Sequence, residues 1–339
     1  MHAVVRIFRT YIVEGRFIPL IVSVGVIGMR AALFFRGEKI PVVYNDTGYL
    51  WRYFSHLFAD PLVSVVASTI SVFLIASLIS SLNSRFTLIR SRSTLPFVIP
   101  LFLLSLHPWF LVMTADYVAV IFILIAFFPL LKSYQTPDAT LYSFRSAILI
   151  GVASLFQIHA IVLLPLWWRG ELSMRRPQFR SFLSSLFGFC LVYVSLFSVY
   201  FLFDDLPGFV QPFLSFASFS LPQLPGYSWS EWGIVLLTGL FFISNMILSI
   251  KTYYRDKVLT LTFMQFMVFL ITFQLLLQIL YWDETVFYLT LGIALISYLN
   301  AYFYTKIHSK TYIYLAALIV VVALYFYLYH LFPELNFLH

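Results

Sequence analysis

Nine stretches of this chain, at about 17–35, 61–83, 95–112, 116–131, 181–203, 233–250, 258–281, 286–304 and 311–330, are almost purely apolar and aromatic. Each approaches the roughly 20 residues that an α-helix needs to cross hydrocarbon. Such a chain can satisfy its backbone in lipid only as helices or as a closed barrel. A barrel shows segments of about 10 residues that alternate apolar and polar, and these runs are continuous. The expected fold class is therefore all-α, a polytopic membrane helical bundle. A composition of 61% hydrophobic and 10% charged residues lies outside the soluble globular range. Across 339 residues no soluble stretch is long enough for a separate catalytic domain, so the chain reads as one transmembrane domain, 1–339.

The charges set the expected sidedness. Seventeen of the 21 Lys and Arg residues fall in six clusters: Arg6, Arg9, Arg16; Arg85, Arg90, Arg92; Lys132, Arg145; Arg169, Arg175, Arg176, Arg180; Lys251, Arg255, Lys257; Lys306, Lys310. Short loops rich in Lys and Arg stay cytoplasmic. Residues 146–168 have the length of one span, yet basic clusters flank both sides. A single crossing there would place every later cluster outside and leave only the first three inside. The alternative is a re-entrant hairpin of two short helices that reverses near Gln157, Ile158 and His159, with all six clusters inside. Non-helical backbone at depth needs protein or a watery cavity around it, so the hairpin is expected inside the bundle. The count becomes about 11 crossings, N-terminus in and C-terminus out. The first run lacks a small-residue cleavage site and reads as a retained span.

On this topology ten acids are external: Glu38, Asp46, Asp60, Asp116, Asp204, Asp205, Glu231, Asp283, Glu284 and Glu334. Acids contribute little to orientation, so insertion does not require that asymmetry. A sequence pI near 9.4 could suggest nucleic acid. The cations sit beside apolar spans, however, so membrane lipid is the expected partner and nucleic acid is not. Cys190 is the single cysteine, which rules out a disulfide within the chain and a cysteine metal site. Neither a phosphate-cradling glycine loop nor an HExxH pattern occurs.

Three segments carry candidate chemistry. In the first external loop Leu50, Trp51, Phe54, Leu57 and Phe58 share one helical face, while Tyr49, Arg52 and His56 share the opposite face. Asp46 precedes the first turn, as a functional acid or as an N-cap in competition with Asn45. In HPWFLVMTADYV, His107 and Asp116 are polar groups in an apolar hairpin, and Thr114 competes with Asp116 for the cap. His159, beside Gln157 at the re-entrant turn, is either a structural histidine or a ligand. The adjacent pairs Asp204-Asp205 and Asp283-Glu284 read as solvated loop ends, or as coupled acids if their surroundings are dry. The loop at 204–232 is rich in Phe and Pro and is expected in the membrane interface.

The order of these features resembles the amino-terminal half of GT-C integral-membrane glycosyltransferases, over about residues 17–205. NDTGYLW is similar to the family's acid-x-x-x-Tyr loop and offers Asp46 and Tyr49, which stand one residue closer together than that pattern. HPWFLVMTADYVAVIFILIAFF is similar to its short hairpin, with Asp116 as the acid that opens the next helix. SAILIGVASLFQIHAIVLLPLWW looks like its incompletely crossing helix pair. The first external loop is shorter than in many members and carries one acid where they have two.

The resemblance implies an amino-terminal module at about 17–205 followed by carboxy-terminal helices at 206–339. It also implies transfer of a sugar from a polyisoprenyl phosphate at the outer face of a bacterial inner membrane. Asp46 and Asp116 would be catalytic, with Tyr49, Arg52, His56, His107 and His159 binding substrate, and a divalent metal is left open. Two other classes compete. One is a transporter or lipid flippase with a cavity lined by His107, Asp116, Gln157 and His159. The other is a non-catalytic subunit of an envelope assembly, bound to a protein partner.

Overall fold

The computed structural model describes residues 3–36, 48–175, 178–220, 243, 248, 256–307 and 309–332. Asp46, with the rest of 37–47, and the run expected at 233–250, apart from 243 and 248, lie outside them. The elements in order are α1 (Ala3–Ile7), α2 (Ile18–Arg36), α3 (Trp51–Phe54), α4 (Pro61–Phe86), α5 (Leu95–Leu103), α6 (Ala115–Lys132), α7 (Thr140–Phe156), α8 (Leu163–Met174), α9 (Phe179–Leu202), α10 (Leu206–Val210), α11 (Val258–Leu280), α12 (Thr285–Thr305) and α13 (Lys310–Leu331). Among the described residues seven helices are long and apolar enough to cross a membrane.

Local chemistry sets the ends of these helices. Pro61 opens α4, where its missing N–H costs nothing, and Asp60 accepts from the Leu62 amide at 3.0 Å. The helix stops at Thr87, which takes a left-handed conformation with φ 46°. At about 1.5 Å per residue its 26 residues reach roughly 39 Å, more than a hydrocarbon core requires. The run expected as a span at 95–112 is interrupted: α5 ends at Leu103, and a short 3-10 turn at Pro108–Phe110 follows. His107 caps that turn, accepting from the Trp109 amide at 3.1 Å.

Buried Arg30 organises this region. Its guanidinium, 2% exposed, donates to Thr69 Oγ1 at 2.8 Å and Ser68 Oγ at 2.6 Å on α4. It also donates to the carbonyls of Leu104 at 3.2 Å and Phe110 at 2.8 Å. A single side chain therefore ties α2, α4 and the α5–α6 connection together through neutral acceptors. Ser64, Ser68 and Ser71 form a buried stripe of small residues along α4 that lets the connection approach closely.

The reversal expected at 157–159 is present. Gln157 is extended (φ −134°, ψ 107°), a 3-10 turn follows at Ile158–Val162, and α8 then runs back. The base of the hairpin is closed where Ser143, near the start of α7, donates to Glu171 Oε2 at 2.8 Å near the end of α8. Arg175 adds hydrogen bonds to Ser143 at 2.6 Å and Glu171 at 2.9 Å. Burial of this pair among hydroxyls fixes how the two helices align.

The described parts of the basic clusters meet at one end of the bundle. There Thr94 donates to the Val13 carbonyl at 2.8 Å, Thr305 to Ser93 at 2.8 Å, and Thr260 to the Leu88 carbonyl at 3.3 Å. Lys306 and Tyr302 both donate to Asp256 at the same end. The opposite end collects the turn at 48–50, the 3-10 turn at 108–110, the tip of the hairpin, the segment at 205–220 and the α11–α12 turn.

Candidate functional site

The α6 helix begins at Ala115, which puts Asp116 in its first turn, 3% exposed. Neither side chain proposed as a simple backbone cap fills that role. Thr114 occupies the cap position without capping the backbone, and its hydroxyl donates instead to Asp116 Oδ2 at 3.1 Å. The other carboxylate oxygen, Oδ1, accepts from Gln157 Nε2 at 2.9 Å. The same amide nitrogen donates to Glu284 Oε2 at 2.8 Å. One amide at the tip of the hairpin thus holds two carboxylates whose oxygens lie within about 6 Å of each other.

Glu284 sits at the start of α12, just as Asp116 sits at the start of α6. Two helix N-termini therefore converge on one point, and their positive dipole ends favour the negative groups placed there. Among the described residues no Lys or Arg pairs with either acid; the ion pairs are Arg9–Glu14, Arg175–Glu171 and Lys306–Asp256. Buried carboxyl groups need hydrogen-bond partners, and here Gln157 serves both acids and Thr114 serves Asp116. Nor do three His, Cys, Asp or Glu side chains cluster as metal ligands among the described residues.

His159 lies two positions beyond Gln157, 1% exposed, with its ring against Tyr281 at 4.8 Å, Phe216 at 5.1 Å and Tyr288 at 6.2 Å between centroids. Neither imidazole nitrogen has a hydrogen-bond partner among the described residues, and the same holds for Gln157 Oε1 and the Tyr288 hydroxyl. Buried polar atoms without partners are rare; those of Gln157, His159 and Tyr288 are at this end, and others, on Trp167, Gln274 and Tyr298 among them, are elsewhere in the bundle. The described part of the aromatic loop covers them. Ser220 donates its amide to the Leu280 carbonyl at 3.2 Å and accepts from the Trp282 amide at 2.9 Å, while the Tyr281 hydroxyl donates to the Phe216 carbonyl at 3.2 Å.

The loop between α2 and α4 reaches the same end. The Leu50 amide donates to the Leu155 carbonyl at 2.9 Å, and Gly48 lies so close to Phe156 that a Cβ would overlap its carbonyl. Tyr49, expected on the polar face of an amphipathic helix, is 2% exposed and donates its hydroxyl to the Phe209 carbonyl at 2.6 Å. The helix begins later than the periodicity predicts: α3 starts at Trp51, so Tyr49 occupies the preceding turn and packs among Tyr193, Tyr200, Phe209 and Phe213. Arg52 and His56 are exposed, as are Phe54 and Leu57, which suits an element lying at a lipid surface. His107 stacks on Phe326 of α13 at 5.9 Å.

The structure therefore joins Asp116 with Gln157 and puts His159 next to them, whereas Arg52 and His56 stay on the surface. Asp46 lies outside the described residues, two positions before Gly48. Glu284 is a site residue that the sequence offers only as half of an adjacent acid pair, solvated or dry. A 3-10 turn at Trp282–Glu284 sends Asp283 outward and Glu284 inward, and the adjacent pair gives no sign of that split. Its spacing of one helical turn from Tyr288 inside an apolar run was the available signal. Asp205 behaves as a loop-end acid, accepting from the Gly208 amide at 3.0 Å. Comparison of the chain with protein-family models, with curated proteins and with solved structures returns no match.

Proposed function

We propose that this protein is a membrane glycosyltransferase of the GT-C type, transferring a sugar from a polyisoprenyl phosphate at the outer face of a bacterial inner membrane. On this reading the chain crosses about 11 times, with its N-terminus inside, its C-terminus outside and the basic clusters on the cytoplasmic face. The observation that carries the proposal is Gln157, which the hairpin tip places between Asp116 and Glu284 at the end away from those clusters. A pair of carboxylates held at two helix N-termini, beneath an aromatic cover and beside the first external loop, is suited to handling a hydroxyl in a site closed to water.

In the proposed reaction the oxygen of an acceptor hydroxyl attacks the anomeric carbon. The bond from that carbon to the phosphate oxygen breaks, and the lipid phosphate leaves with the electron pair. Asp46 takes the acceptor proton, for which it must sit within hydrogen-bond reach of the reacting oxygen. Asp116 and Glu284, fixed by Gln157, orient the acceptor. Arg52, with His56 or His107, offsets the charge left on the phosphate, a task that suits the guanidinium fork. Burial of the carboxylates requires the segment at 205–220 to move before substrate enters.

A second reading, a transporter coupled to a proton or cation, is favoured by the partnerless buried atoms of His159 and Gln157 beside two acids. Reconstituted vesicles separate the two. Asp46→Asn, Asp116→Asn and Glu284→Gln each should lower transfer of labelled sugar from the polyisoprenyl phosphate about 10²-fold or more, with insertion unchanged. Full transfer by all three variants sinks the enzyme, and substrate flux without any transfer assigns the transporter.

A further inference from the structure

At the end that carries the basic clusters, α6 and α7 part to leave a groove with a volume of about 320 Å³, within the range of small-molecule sites. Its floor is formed by Phe128, Ile148 and Leu149, and Lys132 and Arg145 stand at its mouth, both exposed. A third exposed cation, Arg85 of α4, lies over the Phe128 ring with its guanidinium carbon 5.6 Å from the centroid. Tyr142 adds a phenol to the rim. The nearest acid along the chain, Asp138, is engaged elsewhere: it accepts from the Thr140 hydroxyl at 2.6 Å and the Thr140 amide at 3.1 Å, and it faces Arg175 and Arg180.

We infer that this groove is a binding site for one anionic phospholipid of the adjoining leaflet. Lys132 and Arg145 would contact the phosphate, and an acyl chain would lie along Phe128, Ile148 and Leu149. The charge of the site selects the class of ligand, because cations flank the groove and, among the described residues, no acid lines it. The apolar floor selects the source, since a free anion gains nothing from three hydrocarbon side chains. Basic pockets between spanning helices are a recurrent setting for such headgroups. The site is remote from the carboxylate pair, at the other end of α6, and does not depend on the proposed reaction. A lipid held there would bridge α4, α6 and α7, the first helix of the hairpin.

The test uses the full chain purified in mild detergent, with native mass spectrometry counting retained phosphatidylglycerol against phosphatidylcholine. The wild-type protein should retain phosphatidylglycerol in preference. Each surface cation contributes roughly fivefold, so Lys132→Gln with Arg145→Gln should lower that preference about thirtyfold. Lys132→Arg with Arg145→Lys keeps the charges and should keep the preference, which separates binding from misfolding. Arg169→Gln, an exposed cation outside the groove, should leave it unchanged. Equal retention of both lipids by the wild type, a double Gln variant that behaves like wild type, an equal loss in Arg169→Gln, or displacement of the lipid by inorganic phosphate would each overturn the proposal.

Discussion

Gln157 Nε2 donates to Glu284 Oε2 at 2.8 Å across 127 positions of sequence, and the same nitrogen donates to Asp116. This bond joins the tip of the α7–α8 hairpin to the start of α12 and makes the hairpin part of the site. Replacing Gln157 with Leu removes the donor that two buried carboxylates share. The expected cost is about 2–4 kcal/mol, read as a lower midpoint in denaturing detergent. Asp116→Asn should then cost less in the Leu background than alone, with a coupling of about 1 kcal/mol or more in a double-mutant cycle. Strict additivity of the two changes would mean that the bond contributes nothing.

Arg30 makes four hydrogen bonds to neutral acceptors in a lipid-embedded bundle, so its removal leaves a cavity and takes a donor from the Leu104 carbonyl and from two hydroxyls, while the Phe110 carbonyl keeps the Tyr117 hydroxyl at 2.7 Å. Arg30→Leu should destabilise by about 3 kcal/mol or more. Arg30→Lys should recover only part of this, because an ammonium has three donors and lacks the planar fork. Thermal unfolding in one detergent, comparing the three proteins, checks the order wild type, Lys, Leu.

Gly48 and Tyr49 are neighbours with unequal roles. Gly48→Ala forces a methyl into the Phe156 carbonyl and should cost about 1–3 kcal/mol, lifting the turn off the hairpin. Tyr49→Phe removes only the bond to the Phe209 carbonyl and should cost about 1 kcal/mol. Protease nicking in the first loop should rise in the glycine variant and stay near wild type in the other.

Asp256 lies outside the spanning segments, where Lys306 and Tyr302 donate to it. Partial burial opposes its ionised form, yet these two donors prevail and hold its carboxyl below the ordinary value of 3.8. A depressed value in the folded state means that the contribution is complete above about pH 4 and is lost as pH falls through the folded value. Asp256→Asn should therefore be less stable than wild type at pH 7, with the gap closing only in acid. A gap that stays constant from pH 7 down to about pH 2 would contradict this.

Much of the architecture was legible one-dimensionally because lipid leaves a chain few options. The break at Gln157 followed from counting Lys and Arg on either side of 146–168, and the structure puts extended backbone at that residue. Asp116 was visible as an ionisable group in an apolar hairpin. Tyr49 was misplaced on a face because helical periodicity continues smoothly through residues that are not helical, and nothing local marks where α3 begins. For the pair Asp283-Glu284 the sequence leaves solvated and dry surroundings open, because the inward turn of Glu284 goes with its bond to Gln157 of the hairpin, a partner far away in sequence.

The sequence by itself determined an all-helical membrane bundle, the position of its reversal and the gathering of its cations, since hydrophobic length and charge act on each segment independently of the others. Only the tertiary structure decided that Asp116 and Glu284 share one amide, that Arg30 is a buried anchor without a carboxylate, and that Tyr49 is packed away. These are pairings between distant segments. A hydrogen bond to a desolvated charge depends on distances of a few tenths of an ångström, which packing sets and composition does not.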